Sequence, residues 1–209
     1  MSPLFSLLNR GVLMLRKTDN SNDSKSTVRE LFDWLEVVVS AIIVVVFLFT
    51  FVFRIVTIVG HSMENTLKQN EKLIITNWFY TPKVGDIVVV SRNVDNSPSN
   101  FQSKGPIIKR VIATEGQTVD IDFALGIVYV DGVALDEPYT KTPTNTYFDI
   151  NFPVRVPEGH IFCLGDNRNE SLDSRSSVIG TDGMIDVRYV LGHATTRVYP
   201  FSKIGSVKK

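Results

Sequence analysis

The chain has 209 residues, with 22 basic and 22 acidic side chains and a formal net charge of zero, which leaves room for about one domain and a short extension. Such a balance creates no global field to draw nucleic acid, which is therefore not an expected partner. The single cysteine, Cys163, excludes an intrachain disulfide, and three scattered histidines make no ligand pattern, so neither a metal nor a cofactor is expected.

From the N-terminus, residues 3–15 are apolar but interrupted by Arg10 and too short to span a bilayer, which suits an interfacial or weakly ordered segment. Residues 18–27 read as a polar linker. Between Val37 and Phe53 no charge occurs; Glu36 precedes this run and Arg54 follows it. As a helix the run covers about 26 Å, at the short end of a spanning length. Trp34 and Leu35 before it, and Ile55 and Val56 after it, can lengthen it while Arg54 snorkels outward. A soluble helix would show a polar face, and this one has none. The run also exceeds a typical signal-peptide core, starts late and lacks a small-x-small site directly behind it, so it reads as a permanent anchor.

The expected division is an N-terminal tail over 1–33, a single transmembrane helix over 34–56 and a larger domain over 57–209. Arg10, Arg16, Lys17, Lys25 and Arg29 precede the span, whereas Arg54 is followed by no basic residue until Lys68. Counting Lys and Arg therefore places the N-terminus in the cytoplasm and the large domain outside the cell membrane.

Beyond the span, short strand-like runs lie between turn signals: Leu73–Thr76, Ile87–Val90, Ile107–Ile112, Thr118–Ile121, Ile127–Val130, His160–Leu164 and Tyr189–Val198. Asp131-Gly132 between two apolar runs is a two-residue hairpin signal. Residues 93–105 form a polar loop, and residues 136–153 carry prolines and aromatics without period. Cys163 lies in an apolar strand and reads as a core side chain. The fold class is mainly β, an anchored barrel or sandwich-like domain, with about 122–157 a smaller inserted β region.

The chemistry starts at Lys109, a charge inside the apolar run Ile107-Ile108-Lys109-Arg110-Val111-Ile112. On a strand, Ile107, Lys109 and Val111 share a face. Burial disfavours the ammonium form, which suits a lysine to act as a general base near neutral pH. The nucleophile it could serve is Ser62, in Gly60-His61-Ser62-Met63 just beyond the span. His61 is poorly placed to deprotonate its neighbour, since adjacent strand residues point to opposite faces. His160 and His193 lie in no recognisable motif, so Lys109 is the better partner for Ser62.

Four blocks in order extend this reading: Gly60-His61-Ser62-Met63-Glu64-Asn65-Thr66-Leu67; Val84-Gly85-Asp86-Ile87-Val88-Val89-Val90; Ile108-Lys109-Arg110-Val111-Ile112; and Gly165-Asp166-Asn167-Arg168-Asn169-Glu170-Ser171-Leu172-Asp173-Ser174-Arg175. Over roughly 34–200 the chain resembles bacterial type I signal peptidases, the membrane-anchored Ser/Lys endopeptidases of family S26. The resemblance implies an all-β signal-peptidase/LexA-like catalytic domain with Ser62 as nucleophile and Lys109 as general base. It also implies that Ser171 hydrogen-bonds and orients the lysine amine, and that Asp173, Arg175, Arg110 and Asp166 hold the catalytic loops through ion pairs. Ile58, Met63, Leu67, Ile107 and Ile108 match pocket-lining positions, with core packing an open alternative for each. The implied partners are preproteins with a small-x-small cleavage site, the lipid bilayer and a nearby secretion translocon.

Three positions depart from the family pattern. Asn65 stands where proline is usual, Gly60 where some members carry a serine oxyanion donor, and Gln117 where aspartate is frequent. Two other classes share parts of this pattern. A self-cleaving Ser/Lys repressor-type protease would carry a DNA-binding helical domain where this chain has an apolar span. A non-catalytic binding module would have lost Ser62 or Lys109, and both are present.

Overall fold

The computed structural model describes residues 23–91 and 105–207. The expected segment over 3–15, residues 18–22 of the linker and residues 93–104 of the polar loop lie outside them. Contacts divide the chain into two units, 1–47 and 48–209. The described part of the first is one helix, α1 (Asp23–Phe47). The segment Arg29–Thr50, 22 residues with mean hydropathy 2.5, is long and apolar enough to cross a membrane, and none of it is buried. Its length as a helix, about 33 Å, matches a bilayer's hydrocarbon core. Valine and isoleucine are only fair helix formers in water, whereas a hydrocarbon surrounding, which requires every backbone group to be satisfied internally, would favour the helix.

Both ends of the expected 34–56 helix are shifted. At the start, residues 23–33, assigned to the linker and tail, are helical; Arg29-Glu30-Leu31 are good helix formers with no Gly or Pro to stop them. At the end, a π-helical turn (Leu48–Val52) leads into strand β1 (Phe53–Thr57). Phe53-Arg54-Ile55-Val56-Thr57 suits a strand as well as a helix, and pairing with β2 (Lys72–Thr76) decides it, from Phe53 opposite Thr76 to Thr57 opposite Lys72.

The second unit holds two sheets. The larger contains β1, β2, β3 (Ile87–Val90), β4 (Ile107–Thr114), β9 (His160–Leu164), β10 (Ile185–Asp186), β11 (Val190–Tyr199) and β12 (Gly205–Ser206). Its order is β1-β2-β11-β3-β4-β9-β10, with β12 paired to β11. The smaller sheet, in order β7-β6-β5-β8, uses β5 (Thr118–Asp122), β6 (Ile127–Val130), β7 (Val133–Ala134) and β8 (Val154–Arg155). The hairpin signal is realised between β6 and β7, where Asp131 and Gly132 both have positive φ, 52° and 78°.

β3 is buried along its whole length, and its alternation feeds two cores. Ile87 and Val89 pack with Ile58, Met63, Leu67 and Leu73, whereas Val88 and Val90 pack with Val111 and Cys163. A third cluster, with Ile112, Phe162 and Leu164, joins the larger sheet to Val119 and Val128 of the smaller one. This burial on both faces explains why β3 reads as a continuous apolar run rather than an alternating one.

Candidate active site

Ser62 sits on a tight turn leaving β1. The ladder with β2 runs on through Ile58, which donates to Glu71 and accepts from Asn70 (2.9 and 3.0 Å). Gly60 then takes φ 93°, a conformation that favours glycine. The backbone closes a short helical turn in which the Glu64 N–H donates to His61 and the Leu67 N–H to Met63 (3.1 and 2.8 Å). Met63 and Leu67 plug this turn into the core, at 2% and 0% exposure. The peptide bond between Glu64 and Asn65 is cis.

Lys109 reaches the turn from β4. It is 3% exposed, and its Nζ lies 2.8 Å from Ser62 Oγ, donating to it. None of the three histidines bonds to Ser62 among the described residues. His61 Nδ1 lies 2.6 Å from Glu64 Oε1, His160 bonds the Glu158 carbonyl and His193 that of Thr76. The next residue along β4, Arg110, points to the opposite face, as strand geometry requires. There it grips Asp166 with two bonds, Nε to Oδ1 at 2.8 Å and Nη2 to Oδ2 at 2.7 Å, both side chains being fully buried. Arg110 also donates to the Gly85 carbonyl (2.9 Å), and Thr66 donates to Asp166, so one ion pair joins β4, the Gly85-Asp86 block and the nucleophile turn.

The loop 165–175 completes the site. The Asn167 N–H donates to the Ser62 carbonyl (3.0 Å) and Asn167 Nδ2 to that of His61 (3.1 Å), fixing the backbone at Ser62. Asp173 accepts from Arg175 Nε (2.8 Å) and Nη2 (2.9 Å) and from the Gly165 N–H (3.0 Å). Arg175 Nη2 in turn donates to the carbonyls of Arg168 and Ser171. The four residues expected to hold the loops thus form two fully buried bidentate pairs, a geometry suited to guanidinium and carboxylate. Ser171 differs from expectation. Its hydroxyl is buried in the site but has no hydrogen-bond partner, so the bond to the lysine amine is not made. The Gly165 backbone runs close to both serines: a Cβ there would lie 2.5 Å from the Ser62 carbonyl oxygen and 2.6 Å from Ser171 Cβ.

A cleft of about 470 Å³ opens beside the serine, lined by Val56–Gly60, Ser62, Met63, Val89 and Gly105–Lys109. Ile58, Met63, Ile107 and Ile108 border it. Leu67 does not; it lies fully buried in the core beneath the turn, where an apolar residue at its spacing from Met63 packs inward. Among the described residues β1 pairs on one side only, with β2, and β4 meets β9 from Arg110 onward, so both walls of the cleft are strand edges.

Three contributors escaped the sequence reading. Arg168 is buried and grips Glu137 with two bonds (2.8 and 2.6 Å), tying the loop 165–175 to the stretch that carries prolines and aromatics. Tyr139, in the same stretch, lies under the Arg110 guanidinium at 3.8 Å, a cation–π contact. Asn167 was visible only as part of a polar block. A buried arginine needs an acid, but nothing in the local sequence identifies one about thirty positions away.

The family described as signal peptidase, peptidase S26, matches residues 31–199. A probable signal peptidase I-1 from Synechocystis sp. is 39% identical over 155 residues, covering 70% of this chain and 71% of the relative. A signal peptidase I from Bacillus licheniformis is 29% identical over 194 residues, covering 87% and 97%. A crystal structure of a signal peptidase I from Enterococcus faecalis V583 aligns with TM-score 0.41 and 29% identity, covering 56% of this chain and 98% of that one. The chain belongs to the S26 signal peptidase family.

Proposed function

We propose that this protein is a membrane-bound serine endopeptidase that removes N-terminal signal peptides from exported preproteins with a Ser62/Lys109 dyad. The observation that carries the reading is the 2.8 Å contact between a buried lysine amine and a serine hydroxyl at the edge of an apolar cleft, in a chain of this family. Desolvation favours the neutral amine, which can take the serine proton. Ser62 Oγ attacks the scissile carbonyl while Lys109 accepts its proton. The tetrahedral intermediate collapses to a serine ester as the lysine ammonium protonates the departing amine. Lys109 then deprotonates a water that hydrolyses the ester and frees Ser62. The Ser62 backbone N–H is the candidate donor to the developing oxyanion, with Gly60 contributing no side chain.

Substrate binding follows from the two strand edges. An extended peptide between β1 and residues 107–109 would add a strand, with alternate side chains entering the cleft. Ile58, Met63 and Ile108 give the cleft an apolar wall suited to an uncharged side chain before the cut, and the family resemblance makes that residue a small one. The basic residues ahead of α1 support a cytoplasmic N-terminus, with the span as anchor and the catalytic unit outside, near the translocon.

The test is cleavage of a preprotein with an Ala-x-Ala site, in detergent, by the native chain and by Ser62→Ala and Lys109→Ala. Cleavage after the small residue by the native chain alone is expected. A folded Lys109→Ala variant with full activity would remove lysine from the mechanism.

A further inference from the structure

A buried acid stands at the far end of the segment that carries Ser62. Glu71, just before β2, is 4% exposed. A carboxylate so enclosed is costly unless other groups match it. Three do. The Lys68 N–H donates to Oε2 at 3.1 Å. Arg197 Nε lies 3.1 Å from the same oxygen, an ion pair without hydrogen-bond alignment, and Lys203 Nζ lies 3.9 Å from Oε1. Buried pairs of this kind add little net stability over apolar packing, so their use lies in what they hold.

Arg197 also holds the turn itself. On β11 it stands opposite Leu73 of β2, and directly opposed residues of paired strands share a face. That face carries the core beneath the turn, where Leu73 packs with Met63 and Leu67. From there Arg197 Nη2 donates to the Thr66 carbonyl at 2.8 Å, across 131 positions of chain. This carbonyl ends a short helical turn, where no following turn exists to bond it and a basic side chain can cap it. Every polar group of Thr66 is thereby engaged. Its N–H donates to Met63 (3.0 Å), its hydroxyl donates to Asp166, and its carbonyl accepts from Arg197. The Asp166 contact ties the turn to the loop 165–175, and the Arg197 contact ties it to the larger sheet. Thr66, Glu71 and Arg197 do not line the cleft beside Ser62.

We propose that Arg197, aligned by Glu71, is a positioning residue for the Ser62 reaction, capping the turn and keeping Ser62 Oγ in reach of Lys109. The inference rests on the Ser62/Lys109 reading. Without the guanidinium the Thr66 carbonyl loses its donor, and the turn is tied through its Asp166 side alone. A relaxation of about 0.5 Å at Ser62 lowers the rate about tenfold, since about 1 Å costs about a hundredfold. The cleft walls at Val56–Gly60 and Gly105–Lys109 stay in place, so substrate affinity is retained.

Single-turnover cleavage of a preprotein by excess full-length enzyme, in detergent, separates the rate constant of competent molecules from their number. In Arg197→Met the saturating rate constant is expected to fall about tenfold, with half-saturation within about twofold of native. Its urea midpoint should fall too, because Glu71 stays buried without its counter-charge. Arg197→Met/Glu71→Gln removes both charges, while the new amide oxygen can still accept from the Lys68 N–H. The double variant is expected to regain the midpoint but not the rate constant, and its rate constant decides the matter if Arg197→Met does not fold. Recovery of both would overturn the inference, because the pair would then serve stability alone. So would Arg197→Met at the native rate constant, or a loss confined to half-saturation or amplitude. Ser62→Ala is measured beside them. An inactive Ser62→Ala with Arg197→Met at the native rate overturns this inference alone, whereas Ser62→Ala at the native rate overturns the Ser62 reading and this inference with it.

Discussion

Gly165→Ala is the sharpest test of the site's geometry. Gly165 is not in the left-handed region, so alanine meets no backbone strain and the substitution tests space alone. Its Cβ would lie 2.5 Å from the Ser62 carbonyl oxygen and 2.6 Å from Ser171 Cβ, and closer still to Ser171 Oγ. An unstrained contact needs about 3.5 Å, so roughly 1 Å must be found. Turning the Ser171 hydroxyl away does not suffice, because its Cβ is also too close. The Ser62 carbonyl is held by the Asn167 N–H at 3.0 Å, so moving one moves both, and Ser62 Oγ shifts from Lys109. A displacement of that size at a reacting atom costs about a hundredfold in rate, or about 2.7 kcal/mol of barrier. Overpacking should cost a further ~1–3 kcal/mol of stability. Single-turnover cleavage of a preprotein at saturating enzyme, with near-UV circular dichroism to verify folding, measures both. A folded G165A whose single-turnover rate stays within about threefold of native would refute the argument that this close approach positions the nucleophile.

Arg175→Ala strips the counter-charge from Asp173, fully buried, and should lower stability by about 3–5 kcal/mol, read as a lower urea midpoint; an unchanged midpoint would show that the pair is dispensable. In the proposed mechanism the neutral amine of Lys109 accepts the serine proton, so activity should rise with pH from acid to neutral; a single-turnover rate that falls as pH is raised above neutral, with the fold intact, would contradict the lysine-base assignment. Burial, and next the Asp173 charge, push the Cys163 thiol well above its ordinary value, so the reactive thiolate is scarce at neutral pH. Iodoacetamide should leave native activity untouched and label Cys163 only after unfolding, and rapid labelling of the folded protein would contradict the core packing.

What could be read from the sequence was what local pattern determines. β3, β6 and β9 fall where apolar runs end at turn residues, and Asp131-Gly132 sits at its hairpin because only certain residues tolerate its dihedral angles. Lys109 stood out because a charge in an apolar strand is costly and needs a reason. β1 was hidden because residues 53–57 continue an apolar helix in composition, and periodicity cannot separate the two over so few residues. Its identity is settled by pairing with β2, a non-local fact. The Arg168–Glu137 pair and the Tyr139 contact were illegible for the same reason. Leu67 stayed open between cleft and core because a motif position gives no direction for a side chain, and the helical turn from Met63 sends it into the core.

Two adjacent charges on β4 meet opposite fates, and the contrast explains why the site needs so many buried ions. Arg110 is matched by a carboxylate in a bidentate pair, and a guanidinium stays charged at any physiological pH, so it can only act as a clamp. Lys109, one residue away and equally enclosed, meets a serine hydroxyl, and an amine can lose its proton where a guanidinium cannot. Neither position would tolerate exchange: arginine at 109 could not act as base, and lysine at 110 would lose the fork that spans Asp166. The pairs around them contribute little net stability against an apolar packing of equal volume. Their use is positional, because each joins segments far apart in the chain whose backbones must meet within a fraction of an ångström at Ser62. A single strand thereby supplies both the proposed proton acceptor and the strut that keeps its serine in reach.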